Sequence, residues 1–562
     1  MLGQMMHSPL LVSSILRHAA AYHGDTEVVS RTVEGPIHRY TYAELSRRAQ
    51  KLANALGRLG LENGDRVGTL AWNGYRHMEL YYGVSGSGLV CHTINPRLFP
   101  EQISYIIAHA GDRILFSDLS FLPILEVLAD RLKDLKAVVI MTDEAHMPKS
   151  EILPGLVCYE TLIAGESDEY EWPDLDENTA SGLCYTSGTT GEPKGVLYSH
   201  RSSVLHAMTC ALPDVLGLSA LDSASPIVPM FHVNAWGVPF AAPMVGAKLV
   251  MPGPRLDGAS LHELFEQEGV TFTAGVPTVW LALLDWMDSH AQSFTSLKRV
   301  AIGGSASPPI MISRFQNKGV MVRHAWGMTE TSPIGLAATL KTKHEGLPAE
   351  QKLALQAKQG RPLFGMEFCI KGADGEPIAR DGKSFGSMLV RGPWVAAGYY
   401  NSPISPAHAA EGWFDTGDVV TMDADGFIQI VDRTKDVVKS GGEWISSIEL
   451  ENIAQAHPAI KEAAVVGKPD ERWGERPVLI VQLKPEMNFS RQDMVELYTG
   501  KIPKWSIPDD VLVVEELPHT ATGKLLKTAI REIVVKELQV GSLDEGTAGG
   551  DLDLHPAPGR AS

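Results

Sequence analysis

Apolar side chains between Leu45 and Leu59 fall at Leu45, Leu52, Ala55, Leu56 and Leu59, a helical spacing, and Thr41 with Glu44 just ahead of them makes a capping-box pattern. Short apolar runs, Arg66-Val-Gly-Thr-Leu-Ala and Ala137-Val-Val-Ile-Met, recur between such helices. The rhythm continues through Lys248-Leu-Val-Met, a helix over 260–268, Phe272-Thr-Ala-Gly and another helix. Strand and helix in alternation predict an α/β fold, with an open, mostly parallel sheet in a large N-terminal domain. Beyond residue 360 the texture changes. Met366-Glu-Phe-Cys-Ile-Lys, Ser387-Met-Leu-Val-Arg and Gly426-Phe-Ile-Gln-Ile-Val are short strands separated by Asp-Gly turns at 374–375, 381–382 and 425–426, which predicts a small antiparallel β-barrel or sheet closing the large domain. Mixed helices and strands return from Val437 to about Leu538, enough for a smaller α+β C-terminal domain. The charged stretch Asp432-Arg-Thr-Lys-Asp436 suits a hinge. The expected division is a large domain over 1–432, a mobile lid over 433–540 and a disordered Gly/Asp/Pro-rich tail over 541–562.

Composition narrows the function. At 562 residues the chain exceeds one compact core, and 44% hydrophobic with 21% charged residues is ordinary for a globular enzyme. A net charge of −18, from 49 basic and 67 acidic residues, argues against a nucleic-acid surface. An anionic substrate would therefore need a locally positive funnel. Cys91, Cys158, Cys184, Cys210 and Cys369 lie far apart with no Cys-x-x-Cys pair, so they read as reduced, buried thiols. No apolar run is long enough for an integral membrane span, and no signal-peptide pattern opens the sequence, so a cytoplasmic location is expected.

Chemistry concentrates in Tyr185-Thr-Ser-Gly-Thr-Thr-Gly-Glu-Pro-Lys-Gly195. Gly188 and Gly191 let backbone N–H groups turn inward, Thr186, Ser187, Thr189 and Thr190 add hydroxyl donors, and Lys194 adds a mobile charge. The run follows a buried strand, where a polyphosphate cradle is expected. It is not a Walker A sequence, because Lys194 follows Pro193 and not a glycine. A second signal is Trp326-Gly-Met-Thr-Glu-Thr331, in which Glu330 can hold a magnesium ion and Thr329 can face a phosphate. Gly303-Gly-Ser-Ala306 follows the strand-like Val300-Ala-Ile and permits close approach of a ring or an acyl chain.

The loop at 185–195 resembles the phosphate signature of the adenylate-forming superfamily, which includes acyl-CoA synthetases, luciferases and peptide-synthetase adenylation domains. Trp326–Thr331 and Pro518-His-Thr-Ala-Thr-Gly-Lys524 match the same family in the expected order. The resemblance implies ATP, Mg2+ and CoA as cofactor and co-substrates, with a carboxylic acid as the other small-molecule partner. A homodimer is left open. It further implies that Gly304, Ser305, Ala306, Ala325, Trp326, Gly327, Met328 and Thr329 border the nucleotide, with Trp326 stacking on adenine where tyrosine is commoner. Glu330 and Thr186 would hold the metal, and Asp418 and Arg433 the ribose hydroxyls. His232, Trp236, Gly303 and Pro333 would line the acyl pocket, with Trp236 facing it if its segment is helical and His232 beside the carboxylate. Lys524 would be the catalytic lysine and Lys435 the hinge. Lys439, Ser440, Gly441, Gly442, Glu443 and Trp444 would line the CoA tunnel. The overall texture is similar to medium-chain fatty acyl-CoA ligases and, within that branch, 3-methylmercaptopropionate–CoA ligases. The expected reaction is therefore AMP-forming acid–CoA ligation of a short- or medium-chain acid, 3-(methylthio)propanoate first. A medium- or long-chain fatty acid and a luciferase-like adenylate oxygenase are the alternatives.

Overall fold

A computed structural model describes residues 1, 3–186, 192–372, 375–403, 405–408, 412–441, 443–519 and 525–544, without the side chains of 443 and 538–544. The chain forms two compact units. The first comprises Met1–Phe368, Leu389–Phe414 and Asp425–Ile428; the second comprises Cys369–Met388, Asp415–Ala424 and the chain from Gln429 onward. The long C-terminal stretch thus begins a few residues before the expected 432/433 junction and is joined by two earlier hairpin pieces.

The first unit is built on two sheets. In the nine-stranded sheet, Met321–Gly327, Arg299–Ile302, Phe272–Gly275, Ser223–Pro226, Lys248–Met251 and Glu27–Arg31 lie side by side and parallel. Antiparallel strands extend it at both edges. The seven-stranded sheet runs Val157–Cys158, Ala137–Ile140, Asp112–Ser117, Arg66–Leu70, Val90–Thr93 and Ala180–Tyr185 in parallel, then Gly195–Ser199 antiparallel. Helix Pro277–Ser289 shows why its neighbours pack: Trp280, Leu283, Leu284 and Met287 repeat on one face and bury against Val300, Ile302 and Phe315. Four parallel strands end where the candidate residues begin, at Tyr185, Pro226, Ile302 and Gly327. Ligands of open α/β sheets bind outside the carboxyl ends of strands, so this edge is where a site is expected.

In the second unit, the long antiparallel strands Ile460–Asp470 and Gly474–Leu483 form the centre of a five-stranded sheet. Their period of two sends Ala463, Val465, Leu479 and Val481 to one face, into a cluster with Leu450, Ala454 and Met494. Ala464, Val466, Val478 and Ile480 point the other way, onto Ile530 and Val534 of helix Lys527–Asp544. That helix corrects the expected disordered tail at its start: once Ile530 and Val534 are docked, the helix carries on through 541–544. Residues 545–562 lie outside those described. Of the barrel or sheet expected beyond residue 360, the sheet is found. Among the described residues, Glu367–Lys371, Phe385–Arg391, Phe414–Met422 and Ile428–Arg433 form an open four-stranded sheet; four strands are too few to close around a filled interior. No helix among the described residues is long and apolar enough to cross a membrane.

The capping box is present at helix Tyr42–Arg58: the Glu44 N–H donates to Thr41 Oγ1, and the Thr41 N–H donates to Glu44 Oε2 at 2.8 Å. Thr41→Ala should lower unfolding free energy by about 1 kcal/mol. Urea denaturation of the two proteins checks this, with the m-value expected to stay unchanged.

Candidate active site

The base of the phosphate loop is closed by two bonds. Thr186 N donates to Lys194 O at 2.9 Å, and Lys194 N donates to Thr186 Oγ1 at 3.3 Å. Ser187, Gly188, Thr189, Thr190 and Gly191 lie outside the described residues. The Lys194 ammonium sits 5.0 Å from the ring centroid of Tyr399, and the Tyr399 hydroxyl donates to Glu330 Oε1 at 2.7 Å. One tyrosine therefore brings together the two charged groups that the sequence singled out separately. Burial, with the Glu330 charge beside it, pushes the Tyr399 phenol well above its ordinary range, so it stays a donor. Glu330 is 5% exposed, its backbone carbonyl accepts from Ala396 N at 2.7 Å, and Thr329 O accepts from the Tyr198 hydroxyl.

The residues expected at the acyl group are set by a rare backbone. Val233, Asn234, Ala235 and Trp236 have φ of 47°, 51°, 45° and 56°, and Gly237 follows at 78°. The segment is thus a single helical turn of the left hand, so the condition that it be an ordinary helix is not met. His232 opens it, half-buried. The turn delivers the Trp236 indole onto the glycine segment. A Cβ at Gly303 would meet Trp236 Cη2 at 3.0 Å and Ala325 O at 2.8 Å, and one at Gly304 would lie 4.0 Å from Trp236 Cζ2. Gly304 also has φ +83°, which favours glycine. Trp236 is buried. Asn73 fixes the approach to the turn, donating to Pro226 O and Val228 O and accepting from Met230 N. Tyr81 donates to Met230 O and to Asn234 Oδ1 at 3.2 Å.

Among the residues expected at the nucleotide, Trp326 is 6% exposed, packed on Gly335 and edge-on to Phe368 with centroids 6.0 Å apart. Gly327 is obligatory, because a Cβ there would come within 2.0 Å of Pro333 O. Met328 N donates to that same carbonyl. Ser305 is exposed and Ala306 partly so, while Ala325 is buried.

In the second unit, Asp418 is 1% exposed and pairs with Arg433, whose Nε lies 2.9 Å from Asp418 Oδ1; Arg433 Nη1 also donates to Thr416 O. The two candidate ribose ligands are therefore partners of each other. Lys435 is exposed, with burial of its head lowering its pKa, and its carbonyl accepts from Arg531 at 2.9 Å. Strands Val438–Ser440 and Glu443–Ile445 make a hairpin in which Lys439 faces Trp444, and Trp444 stacks on Phe385 with centroids 5.4 Å apart. Gly441, at φ +62°, lies against Trp473, and Ser440 accepts from Arg476. Gly442, Lys524 and the Glu443 side chain fall outside the described residues.

Tyr399, Tyr198, Asn73 and Tyr81 were missed by the sequence reading. Each acts across a long stretch of chain, 69 residues in the case of Tyr399 and Glu330, and no local spacing announces it.

A loop-closing lysine, a buried carboxylate and glycine-lined strand ends at the carboxyl edge of a doubly wound fold define a nucleotide-dependent enzyme. The AMP-binding enzyme family matches residues 16–400, and the AMP-binding enzyme C-terminal domain matches residues 449–524. The chain belongs to this family. It is 52% identical over 533 residues to the medium-chain-fatty-acid–CoA ligase of Ectopseudomonas oleovorans, covering 95% of this chain and 97% of that protein. It is 50% identical over 533 residues to the 3-methylmercaptopropionyl-CoA ligase of Ruegeria lacuscaerulensis, covering 95% and 98%. The crystal structure of the anthranilate CoA ligase AuaEII in complex with anthranoyl-AMP matches with a TM-score of 0.84 at 26% identity, covering 95% of this chain and 99% of that one. The protein is an AMP-forming acid–thiol ligase, an acyl-CoA synthetase.

Gly303→Ala should displace the Trp236 indole, since Ala325 O at 2.8 Å belongs to the backbone and leaves the ring to give way. A loss of about 1–3 kcal/mol in stability is expected, together with a blue-to-red shift in tryptophan fluorescence as the indole loosens. Thermal melts and emission spectra measure both.

Proposed function

We propose that the enzyme activates a short, apolar carboxylic acid, 3-(methylthio)propanoate ahead of a medium-chain fatty acid, through an acyl-adenylate to its CoA thioester. The observation that supports the choice is the buried Trp236 indole resting against Gly303, a bulky ring that suits a short acid if this segment borders the acyl group. The relative named for medium-chain fatty acids is as similar as those named for the methylthio acid, and it supports the second reading.

A carboxylate is already a nucleophile, so no general base is needed. What slows the reaction is the approach of two anions. In the first half-reaction a carboxylate oxygen attacks the α-phosphorus of ATP, the bond to the β-phosphate oxygen breaks, and pyrophosphate leaves with the electron pair. Lys194 answers the phosphate charge, and Lys524 is assigned the charge that grows between carboxylate and α-phosphate, where a fixed cation contributes on the order of a few kcal/mol. Glu330 and the Thr186 hydroxyl would hold Mg2+. One carboxylate and a hydroxyl, all hard oxygens, suit an ion that keeps waters and phosphate oxygens, and no cluster of three His, Cys, Asp or Glu among the described residues competes as an all-protein cage. When bound, the ion neutralises polyphosphate charge. Asp418 and Arg433 take the ribose hydroxyls by exchanging their mutual pairing for bonds to the ligand, and Trp326 flanks adenine. In the second half-reaction the CoA sulfur attacks the acyl carbonyl and AMP departs. Lys435 is assigned the pivot between the two steps, and Lys439–Trp444 the pantetheine path.

Lys524→Ala should abolish pyrophosphate release at saturating acid while ATP binding survives. Undiminished turnover would remove Lys524 from the chemistry. A screen of CoA-dependent AMP release across straight-chain, methylthio and aromatic acids tests the substrate. Trp236→Ala should move the optimum toward longer acids, by about tenfold or more in kcat/KM ratio, and an unaltered profile would make Trp236 a core residue only.

A further inference from the structure

Among the buried histidines that stand outside the chemistry above, one touches the Trp236 turn. His206 lies on helix His200–Ala211 and is 2% exposed. Its Nε2 accepts a hydrogen bond from Ile334 N at 3.1 Å, in the segment that follows Glu330. Its other ring nitrogen borders the left-handed turn: a Cβ on Gly237 would come within 2.7 Å of His206 Nδ1. Cys210, one turn along the same helix, reaches the Trp236 carbonyl at 3.6 Å. Trp394 closes a third side, edge-on to the imidazole at 6.2 Å and donating from its indole N–H to Ile334 O. Accepting from an amide requires a lone pair on Nε2, so the imidazole is neutral, and burial agrees by pulling its pKa down to about 3.

We propose that His206 is a specificity-determining positioning residue, which braces the Trp236 turn against the Ile334 segment and so sets how far the indole reaches over Gly303 and Gly304. The length of acid admitted is then fixed from behind the pocket wall. Removing the imidazole leaves space behind Gly237, into which the turn relaxes and draws the indole back. This rests on the reading of Trp236 as the wall of the acid pocket.

The test uses the full-length enzyme and its His206→Ala, His206→Asn and His206→Gln variants. For each, kcat and KM are measured across straight-chain and methylthio acids, with KM for ATP and the melting temperature alongside. His206→Ala should raise KM for short acids and lower it for longer ones, narrowing the native preference by about tenfold, with KM for ATP little changed. His206→Gln, whose amide oxygen can accept from Ile334 N, should restore the native ordering; the shorter His206→Asn should not. A uniform fall in kcat/KM for every acid, or the same ordering in the Asn and Gln variants, would overturn the proposal even if His206→Ala does not fold. A wild-type enzyme with no length preference would instead overturn the pocket reading and this proposal with it.

Discussion

The contact between the Trp236 indole and the backbone at Gly303 and Gly304 dictates much of what surrounds it. A flat ring can rest on a strand end only where no Cβ intervenes, and this fixes Gly303 at the mouth of the parallel sheet, while Gly304 is fixed by its φ of +83°. It also dictates the backbone that presents the ring. Four consecutive non-glycine residues hold left-handed φ values, at roughly 1–2 kcal/mol each relative to the right-handed form. Such a run persists only where its surroundings over-determine it. Here Asn73 and Tyr81 grip its approach, Tyr81 and Cys184 reach Asn234, and Cys210 reaches the last carbonyl. Val233, Ala235 and Trp236 are buried. Strain is therefore stored beside the carboxyl edge of the parallel sheet, at the segment assigned to the acid.

The second constraint is charge. A chain of net charge −18 must bring a carboxylate and a polyphosphate together. Glu330 adds another negative group at the same place, and it is tolerated because Tyr399 donates to one oxygen. The same phenol ring carries Lys194 on its face, so the groups assigned to the phosphates and to the metal are spaced by a rigid neutral side chain. A direct lysine–glutamate pair would have neutralised both before ATP arrived. The tyrosine keeps them near but separate.

Those parts of the molecule whose cause is local were legible in the sequence. The Thr41–Glu44 cap, the helical face of Leu45, Leu52 and Leu56, and the parallel strands at Arg66–Leu70 and Phe272–Gly275 all follow from periodicity and capping, and the structure has them. Gly327 was legible as part of a motif, and the structure supplies its reason in the Pro333 carbonyl. The left-handed turn was not legible, because Val-Asn-Ala-Trp carries no glycine to signal positive φ; tertiary contacts impose it. Tyr399 was hidden for a related reason, since its partners come from distant segments. Asp418 and Arg433 were read as two ligands of one sugar, and only coordinates could show them satisfying each other.

That pairing bears on the pivot assigned to Lys435. Bonds within the second unit span the residues on either side of it. Ser447 N donates to Asp432 Oδ2 at 2.6 Å, the Ser446 hydroxyl to Val431 O, and Thr434 N to Gly417 O. On the far side Arg531 holds both the Lys435 carbonyl and the Asp436 carboxylate. Rotation about the Lys435 backbone turns that carbonyl away and separates Asp432 from Ser447. Each bond given up costs roughly 0.5–1.5 kcal/mol, more for those to charged groups. A ligand can shift such an equilibrium only by its differential affinity for the two states. If Lys435 is the pivot, the energy for that rotation would have to come from what changes between the two half-reactions, pyrophosphate lost and an adenylate formed.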